Sequence, residues 1–340
     1  MNLPEFNAIL EKLQSQQNLV ADEMRRTIAW LLSGDADPEL MKQLLEAMAD
    51  KGETVEELAG AASALRDSMR RVQSSQATVV DTCGTGGDGS KTFNISTAAA
   101  IVAASAGVAV AKHGNRKVTS STGSADVLAE LGVDLEASPE TVEKCLNELG
   151  ICFCFAPHFH PAMRHVGPVR KQIPRPTIFN RLGPLANPAM VPHQVLGVGE
   201  ADLQDKLAHA LQQLGTRRSI VVRGEDGVDE ISLSAPTRVL EVSADAITEH
   251  RWAPAGFGIQ DAQRDALFAD DPASSAACIR DVLEGNPGPR RDVVVLNAAA
   301  ALWVAGISQD LKKCAEQCCQ AIDSGSSQKL VTDLGAMTST

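Results

Sequence analysis

The sequence has no tyrosine, and aromatic residues make up only 3% of its 340 positions. Few side chains are therefore available to stack on nucleic-acid bases. Basic residues are outnumbered, with 31 Lys and Arg against 43 Asp and Glu, and the formal net charge is −12. This balance argues against a broad basic surface for nucleic acid, so an anionic ligand must be met by particular side chains and backbone groups.

Long apolar runs are also missing. The most apolar stretch, residues 98–111, falls short of the roughly 20 residues that span a bilayer, and it predicts a buried helix followed by a strand. The N-terminal segment MNLPEFNAILEKLQ lacks the basic and apolar regions of a signal peptide. We therefore expect a cytoplasmic protein.

A pattern of paired cysteine and histidine metal ligands is missing too, although the chain has eight cysteines. Cys314, Cys318 and Cys319 lie close together, but with Leu311 and Ile322 they form one apolar helical stripe. No histidine or second cysteine pair accompanies them, so we expect these cysteines to pack in a core.

The first 72 residues predict a small helical domain. Four segments, at about residues 4–15, 21–33, 38–50 and 54–71, have helical patterns. Asp37 before Pro38 is typical of a helix start, and Thr54 with Glu57 matches a capping box. We expect part of 165–190 to join this domain and 73–340 to form a second, α/β domain.

In the second domain, short β-rich runs alternate with helical ones, which predicts an α/β fold with a mainly parallel sheet flanked by helices. The predicted strands are 78–82, 108–112, 152–155, 195–198, 219–222 and 293–296, and the predicted helices are 94–105, 124–131, 139–150, 203–214 and 298–304. Ligands of such sheets bind beyond the carboxyl ends of the strands. We therefore expect the loops 83–92, 113–122 and 156–160 to open on one cleft.

The first of these loops has the composition of a phosphate-binding loop. In DTCGTGGDGS, residues 81–90, four glycines surround a single interior acid, Asp88. Glycine allows left-handed backbone and the close approach of N–H groups to an anion, and a helix N-terminus follows. Gly84, Gly86 and Gly89 also satisfy the dinucleotide-binding pattern, which by itself is weak support for a nicotinamide cofactor.

The next strand argues against that cofactor. A dinucleotide site has an acidic residue there, whereas this strand ends in Lys112 followed by HGNR. Asp88 would oppose a pyrophosphate, and it fits ribose hydroxyls or a hydrated metal better. The second loop, KHGNRKVTSSTGSAD, could alone be a solvated loop with an ordinary helix cap. Two such loops after successive strands favour a ligand with phosphates at two ends.

Several motifs together resemble the anthranilate phosphoribosyltransferase family. They are GTGGDGSKTFNIST, KHGNR with GSAD, HPAMR, PVRK, TIFNRLGPLANP and the pair Asp229-Glu230, in the family's order and spacing. KGETVEELAG in the helical segment is similar as well, whereas residues 235–292 match only loosely. The resemblance implies transfer of the phosphoribosyl group of 5-phosphoribosyl 1-diphosphate (PRPP) to anthranilate in tryptophan biosynthesis, with release of pyrophosphate. It also implies Mg²⁺, at two ions per subunit, and a homodimer joined through the helical domain.

The resemblance implies site residues in three groups. PRPP is expected at Gly84, Gly87, Asp88, Thr92, Asn94, Ile95, Ser96, Thr97, Lys112, His113, Gly114, Asn115, Arg116, Ser120 and Ser124. Mg²⁺ is expected at Ser96, Asp229 and Glu230, and anthranilate at Gly84, Asn115 and Arg170. Lys112 is the main cation expected to stabilise the departing pyrophosphate, and no catalytic acid or base is assigned, His113 and His160 included. On the residues alone, Asp229-Glu230 would be an exposed acidic turn and Arg170 one of several surface cations.

Two departures from the family pattern bear on these roles. Ser121 stands where the family commonly has lysine, which removes a cation near the second loop. The segment Pro174-Arg175-Pro176 replaces the usual GIRT ending, and we give Arg175 no role. Two other functions remain open: a pyrimidine nucleoside phosphorylase-like enzyme of similar fold, and a non-catalytic relative that binds nucleic acid.

Overall fold

The computed structural model describes residues 1–116 and 122–339. Four helices open the chain: α1 Leu3–Gln14, α2 Ala21–Ser33, α3 Pro38–Lys51 and α4 Val55–Ser68. Both predicted helix starts are confirmed, since the Asp37 side chain accepts from two N–H groups of α3 and Thr54 with Glu57 forms a capping box. Helix α4 ends earlier than the predicted residue 71, because Met69 is extended.

The described residues form a seven-stranded sheet in the order β3-β2-β1-β4-β5-β6-β7. The first five strands along the chain pair in parallel, and β6 and β7 add antiparallel pairs at one end. The strands are β1 Val79–Gly84, β2 Ala109–Gly114, β3 Ile151–Phe155, β4 His193–Gly197, β5 Arg218–Gly224, β6 Thr237–Ser243 and β7 Ile247–Trp252. The predicted α/β fold with a mainly parallel sheet is therefore confirmed.

Helices cover both faces of this sheet. The helices that follow α4 along the chain are α5 Ile95–Ser105, α6 Ser124–Glu130, α7 Pro139–Leu149, α8 Ala156–Phe159, α9 Met163–Arg170, α10 Phe179–Leu182, α11 Ala201–Gln213, α12 Pro272–Leu283, α13 Pro289–Val304, α14 Leu311–Asp323 and α15 Ser326–Thr338. Successive strand residues point to opposite faces. Val195 accordingly packs in a core with α5 and α13, whereas Leu196 packs in a second core with α11 and the N-terminal helices.

The second core also contains Val166 and Val169 of α9 and Phe179 of α10, so these short helices pack with the N-terminal ones. The division of the chain near residue 72 stays a prediction. Cys314 and Cys318 are buried in the first core, as predicted for an apolar helical stripe, and Cys319 packs against it. None of the described helices is long and apolar enough to cross a bilayer.

The predicted strands differ from the observed ones in three respects. Residues 293–296 lie inside α13, because the Val-Val-Val-Leu run is one part of a helix that is buried on all sides and begins at Pro289. The strands β6 and β7 were not predicted at all. The strand β2 continues past Lys112 to Gly114, so Lys112 and His113 belong to the sheet and are buried.

Candidate active site

A cleft of about 640 Å³ opens at the carboxyl ends of β1 and β2. Both predicted phosphate loops line it, and so do residues 229 and 230, which follow β5. It brings together these predicted site residues: Gly84, Gly87, Asp88, Thr92, Asn94, Ile95, Ser96, Lys112, His113, Gly114, Asn115, Arg116, Ser124, Asp229 and Glu230. The segment 156–160 does not line the cleft, since most of it forms the short helix α8.

The loop between β1 and α5 has left-handed backbone at three glycines. Gly86, Gly87 and Gly89 have φ values of 64°, 79° and 68°. Side chains there would be strained, and no atom lies within 4 Å of where a Cβ of Gly87 or Gly89 would stand. The loop therefore leaves its backbone open to a ligand, and the exposed Lys91 lies at its end.

Asp229 and Glu230 are held against this loop by backbone donors. The N–H of Gly86 donates to Asp229 Oδ2 at 2.9 Å, and the N–H of Ser96 donates to Glu230 Oε1 at 3.1 Å. Asp88 accepts the N–H of Asp229 through Oδ2 at 3.3 Å. Asp88, which is 141 positions from Asp229 in sequence, thus lies beside the Asp229-Glu230 pair in the cleft.

Asp229 can lie this close to the loop only because two strands end in glycine. A Cβ at Gly84 would lie 2.6 Å from Asp229 Oδ2, and a Cβ at Gly197 would overlap the Asp229 carbonyl oxygen. Real Cβ atoms do not come this close to oxygen, so either side chain would displace Asp229. Gly84 and Gly197 are the feature that allows the acidic pair to reach the loop.

Crowding of the carboxylates changes their ionisation. Burial and the neighbouring Asp88 raise the pKa of Asp229 to about 7. Burial and Asp229 raise the pKa of Glu230 well above its usual range. A cation would relieve this repulsion, and hard oxygen donors are the ligands that Mg²⁺ takes.

The donor set fits Mg²⁺ only in part. Among the described residues, no group of three or more His, Cys, Asp or Glu side chains is arranged to hold an ion. Mg²⁺ usually keeps several waters and uses one or two carboxylates together with substrate phosphates. Asp229, Glu230 and the Ser96 hydroxyl suit such an open site, in which a ligand supplies the remaining oxygens.

Lys112 is a buried residue of the cleft lining. Its Nζ donates to the Thr82 carbonyl at 2.5 Å and to Ser96 Oγ at 3.2 Å, which engages two of its three N–H groups. Burial lowers the pKa of Lys112, and the buried Asp81 opposes that shift. Lys112 therefore orients the Ser96 hydroxyl and keeps one donor for a ligand.

His113 and His160 form a buried pair. His113 Nδ1 lies 3.0 Å from the Gly183 carbonyl oxygen, which only accepts, so Nδ1 carries the proton and His113 Nε2 accepts from His160 Nε2 at 3.2 Å. Burial lowers the pKa of His113 to about 3 and that of His160 to about 4. Both imidazoles are neutral at pH 7, and neither supplies a cation for phosphate.

The second loop places Asn115 and Arg116 at the exposed mouth of the cleft. Arg116 pairs with Asp126 at 3.2 Å, and Asn115 Oδ1 accepts the N–H of Arg116 at 2.8 Å. A Cβ at Gly114 would collide with Ser124 Oγ, so this glycine lets α6 begin against the end of β2. Ser120 and the departure at Ser121 lie outside the described residues.

Arg170 does not line the cleft. It ends α9, donates to Asn180 Oδ1 at 3.1 Å, and lies over the Phe179 ring with its Cζ 5.5 Å from the centroid. Burial lowers its pKa, and none of the described carboxylates forms an ion pair with it. Arg175, in contrast, pairs with Asp50 of α3 and donates to the Glu46 carbonyl, so it joins the helices rather than the cleft.

Thr97 also lies outside the cleft. It is fully buried in α5, and its Oγ1 has no hydrogen-bond partner among the described residues. The cleft also contains residues that were given no role from the sequence: Thr85 and Lys91 within the glycine-rich motif, and Asp270 outside every motif. Asp270 lies in the segment 235–292, where the pattern was weakest, and only a three-dimensional structure brings it to the cleft.

Comparison with known proteins decides the family. Two family models match, "Glycosyl transferase family, a/b domain" over residues 76–328 and "Glycosyl transferase family, helical bundle domain" over residues 7–69. An anthranilate phosphoribosyltransferase of Rhodopirellula baltica is 47% identical over 329 residues, which cover 97% of this chain and 96% of the relative. The chain belongs to the anthranilate phosphoribosyltransferase family.

Solved structures of this family have the same fold. The anthranilate phosphoribosyltransferase of Thermus thermophilus superposes with a TM-score of 0.91 at 40% identity, covering 98% of this chain and 99% of that one. The Saccharomyces cerevisiae enzyme in complex with PRPP and Mg has a TM-score of 0.90 at 27% identity, covering 99% of each chain. The same yeast enzyme is also solved in complex with 4-fluoroanthranilate.

The buried histidine pair predicts a pH dependence of stability. His160 has a pKa near 4 in the folded chain and about 6.5 when unfolded, so its contribution is complete above about pH 6.5 and is lost as the pH falls. From pH 7 to pH 5, the free energy of unfolding should drop by about 1.5 to 2 kcal/mol more in the wild type than in His160→Gln. Urea unfolding at each pH measures this. His209→Gln, which changes an exposed ring, should keep the wild-type slope, and the same slope in His160→Gln would contradict the assignment.

Proposed function

We propose that this protein transfers the phosphoribosyl group of PRPP to anthranilate, giving N-(5-phosphoribosyl)anthranilate and pyrophosphate, a step of tryptophan biosynthesis. The main support is that the glycine-rich loop, the second loop and Asp229-Glu230 line one cleft. A sugar with a phosphate at one end and a diphosphate at the other needs two anion-binding loops and an acidic metal site. Family membership and the yeast complexes support the same choice.

Different residues of the cleft would bind different parts of PRPP. The open backbone around Gly87 and Gly89 receives phosphate oxygens, and Lys91 and Lys112 are cations that line the same cleft. Mg²⁺, at two ions per subunit, would be held by Asp229, Glu230 and Ser96. The metal would neutralise negative charge on the diphosphate. Thr92, Asn94 and Ile95 continue the contacts at the start of α5.

The chemistry follows from charge and position. Displacement at the anomeric carbon passes through an oxocarbenium-like state while negative charge grows on the departing pyrophosphate. Backbone N–H groups and the remaining Lys112 donor stabilise that charge. An aromatic amine attacks while neutral, so holding it in line matters more than removing its proton, and no covalent enzyme intermediate is needed. Burial lowers the pKa of His113 to about 3 and that of His160 to about 4, which makes both imidazoles weak bases and agrees with a mechanism that has no dedicated base.

A homodimer joined through the helical domain belongs to the same proposal. Leu3 and Val20 are exposed there, at 61% and 55% of their full accessible surface. Burying them against a second copy would remove apolar area from water, which favours association. The expected species in solution has twice the mass of the chain.

The direct test of the proposed function is the loss of anthranilate fluorescence. The signal should fall only when PRPP and Mg²⁺ are both present, and EDTA should stop it. Thymidine with phosphate provides the matched alternative substrate. Release of thymine without loss of anthranilate would favour a nucleoside phosphorylase, and a salt-dependent DNA shift without either turnover would favour a nucleic-acid-binding relative.

Arg170 is proposed to bind the anthranilate carboxylate through two parallel N–H···O bonds. Its guanidinium is half-buried and free of carboxylate ion pairs among the described residues. Arg170→Ala should raise the KM for anthranilate by roughly 10- to 150-fold, the cost of a lost charged hydrogen bond, with little change for PRPP. Steady-state kinetics with both substrates measures the split. Lys171→Ala, a change of the exposed neighbour, should leave both KM values unchanged, and equal losses for both substrates in Arg170→Ala would refute the role.

A further inference from the structure

Asn94 is held in one orientation at the entrance to α5. Its Oδ1 accepts hydrogen bonds from Thr122 Oγ1 at 2.5 Å and from Ser275 Oγ at 3.0 Å. Both partners are hydroxyl groups that donate to this oxygen, so the amide is held with Oδ1 toward Thr122 and Ser275. The Nδ2 group of Asn94 is then the part of the side chain that can donate to a ligand in the cleft.

Ser275 makes a second contact with the same residue. Its Oγ accepts the backbone N–H of Asn94 at 2.9 Å, so one hydroxyl binds both the backbone and the side chain of Asn94. A buried helical serine commonly bonds to a carbonyl of its own helix. Ser275 is fully buried in α12, and it instead bonds to a residue 181 positions away.

The segment leading to α12 fixes the same loop at its backbone. The N–H of Phe93 donates to the Leu267 carbonyl at 2.8 Å, and the N–H of Ala269 donates to the Lys91 carbonyl at 3.0 Å. Ser275 therefore lies on a wall, residues 267–275, that is already joined to the loop before α5. The Ser275 hydroxyl joins this wall to the side chain of Asn94.

We propose that Ser275 is a positioning residue for PRPP: it fixes the amide of Asn94 so that Nδ2 donates to an oxygen of the substrate. Thr122 holds the same amide from the second loop, so Asn94 links both loops of the cleft to α12. The inference rests on the proposed function, because PRPP is the ligand that Asn94 would meet. Ser275 lies in the segment 235–292, outside all the motifs that predicted the cleft.

The test measures PRPP binding and turnover separately. Isothermal titration with PRPP in the presence of Mg²⁺ gives Kd, and steady-state kinetics gives KM for each substrate. Ser275→Ala should weaken PRPP binding roughly 3- to 10-fold, as expected for a lost neutral hydrogen bond, while the KM for anthranilate changes less than about 2-fold. Ser275→Cys keeps a similar shape with a weaker donor, and should shift PRPP binding in the same direction by a smaller factor.

Two comparisons separate positioning from a general loss of structure. Ser274→Ala removes the neighbouring hydroxyl, which only caps α12 through Asp271, and should leave PRPP binding unchanged. In an Asn94→Ala background, Ser275→Ala should add less than about a 2-fold loss, because its effect passes through Asn94.

The outcomes distinguish the two proposals. Three results would overturn the role of Ser275 without affecting the proposed function. They are unchanged PRPP binding in Ser275→Ala, the same full loss from Ser275→Ala in the Asn94→Ala background, and equal losses for both substrates. A wild-type chain that neither binds PRPP nor consumes anthranilate would overturn the proposed function and this inference together.

Discussion

The cleft depends on one close contact, in which the chain at Asp229 lies directly against the ends of two neighbouring strands. β1 ends at Gly84 and β4 ends at Gly197, and the two glycines are partners in the parallel register. Because neither carries a Cβ, Asp229 can place its carboxylate at the Gly86 N–H and its carbonyl over Gly197. A side chain at either position would move the acidic pair away from the glycine-rich loop.

This contact determines the electrostatics of the site. Asp88, Asp229 and Glu230 repel one another, and burial raises the pKa values of Asp229 and Glu230. Lys112 is the nearest buried cation, and it is partly engaged by Thr82 and Ser96. In a chain with a net charge of −12, such a site would not attract a diphosphate by charge alone. A divalent cation reconciles the acidic pair with an anionic substrate, which is why the metal is central to the proposed reaction.

The sequence predicted much of this arrangement, for identifiable reasons. Helix caps such as Asp37 and Thr54 act locally, so their residues could be recognised from spacing. The glycine-rich loop was recognisable because left-handed backbone restricts residue type. Residues 293–296 were misassigned because a wholly buried helix and a buried strand have similar composition. Ser275 and Asp270 could not be found, since their contacts with the loops join positions distant in sequence.

The placement of Lys112 and His113 illustrates the same limit. The predicted strand ended at Lys112 and the predicted loop began at His113, whereas β2 extends to Gly114 and both side chains are buried. The resemblance to the family implied most of the residues that line the cleft, but not which of their side chains are engaged by the protein itself. Whether a side chain is engaged depends on how far the strand extends. The predicted second strand ended two residues before the observed end of β2 at Gly114.

The most direct measurement is a crystal structure of the chain soaked with PRPP and Mn²⁺, which stands in for Mg²⁺ and can be located by its anomalous scattering. We expect an anomalous peak bonded to Asp229 or Glu230 and to a diphosphate oxygen, with the diphosphate against the backbone of Gly86 to Gly89. A diphosphate bound elsewhere, or in this cleft with no metal at the acidic pair, would contradict it.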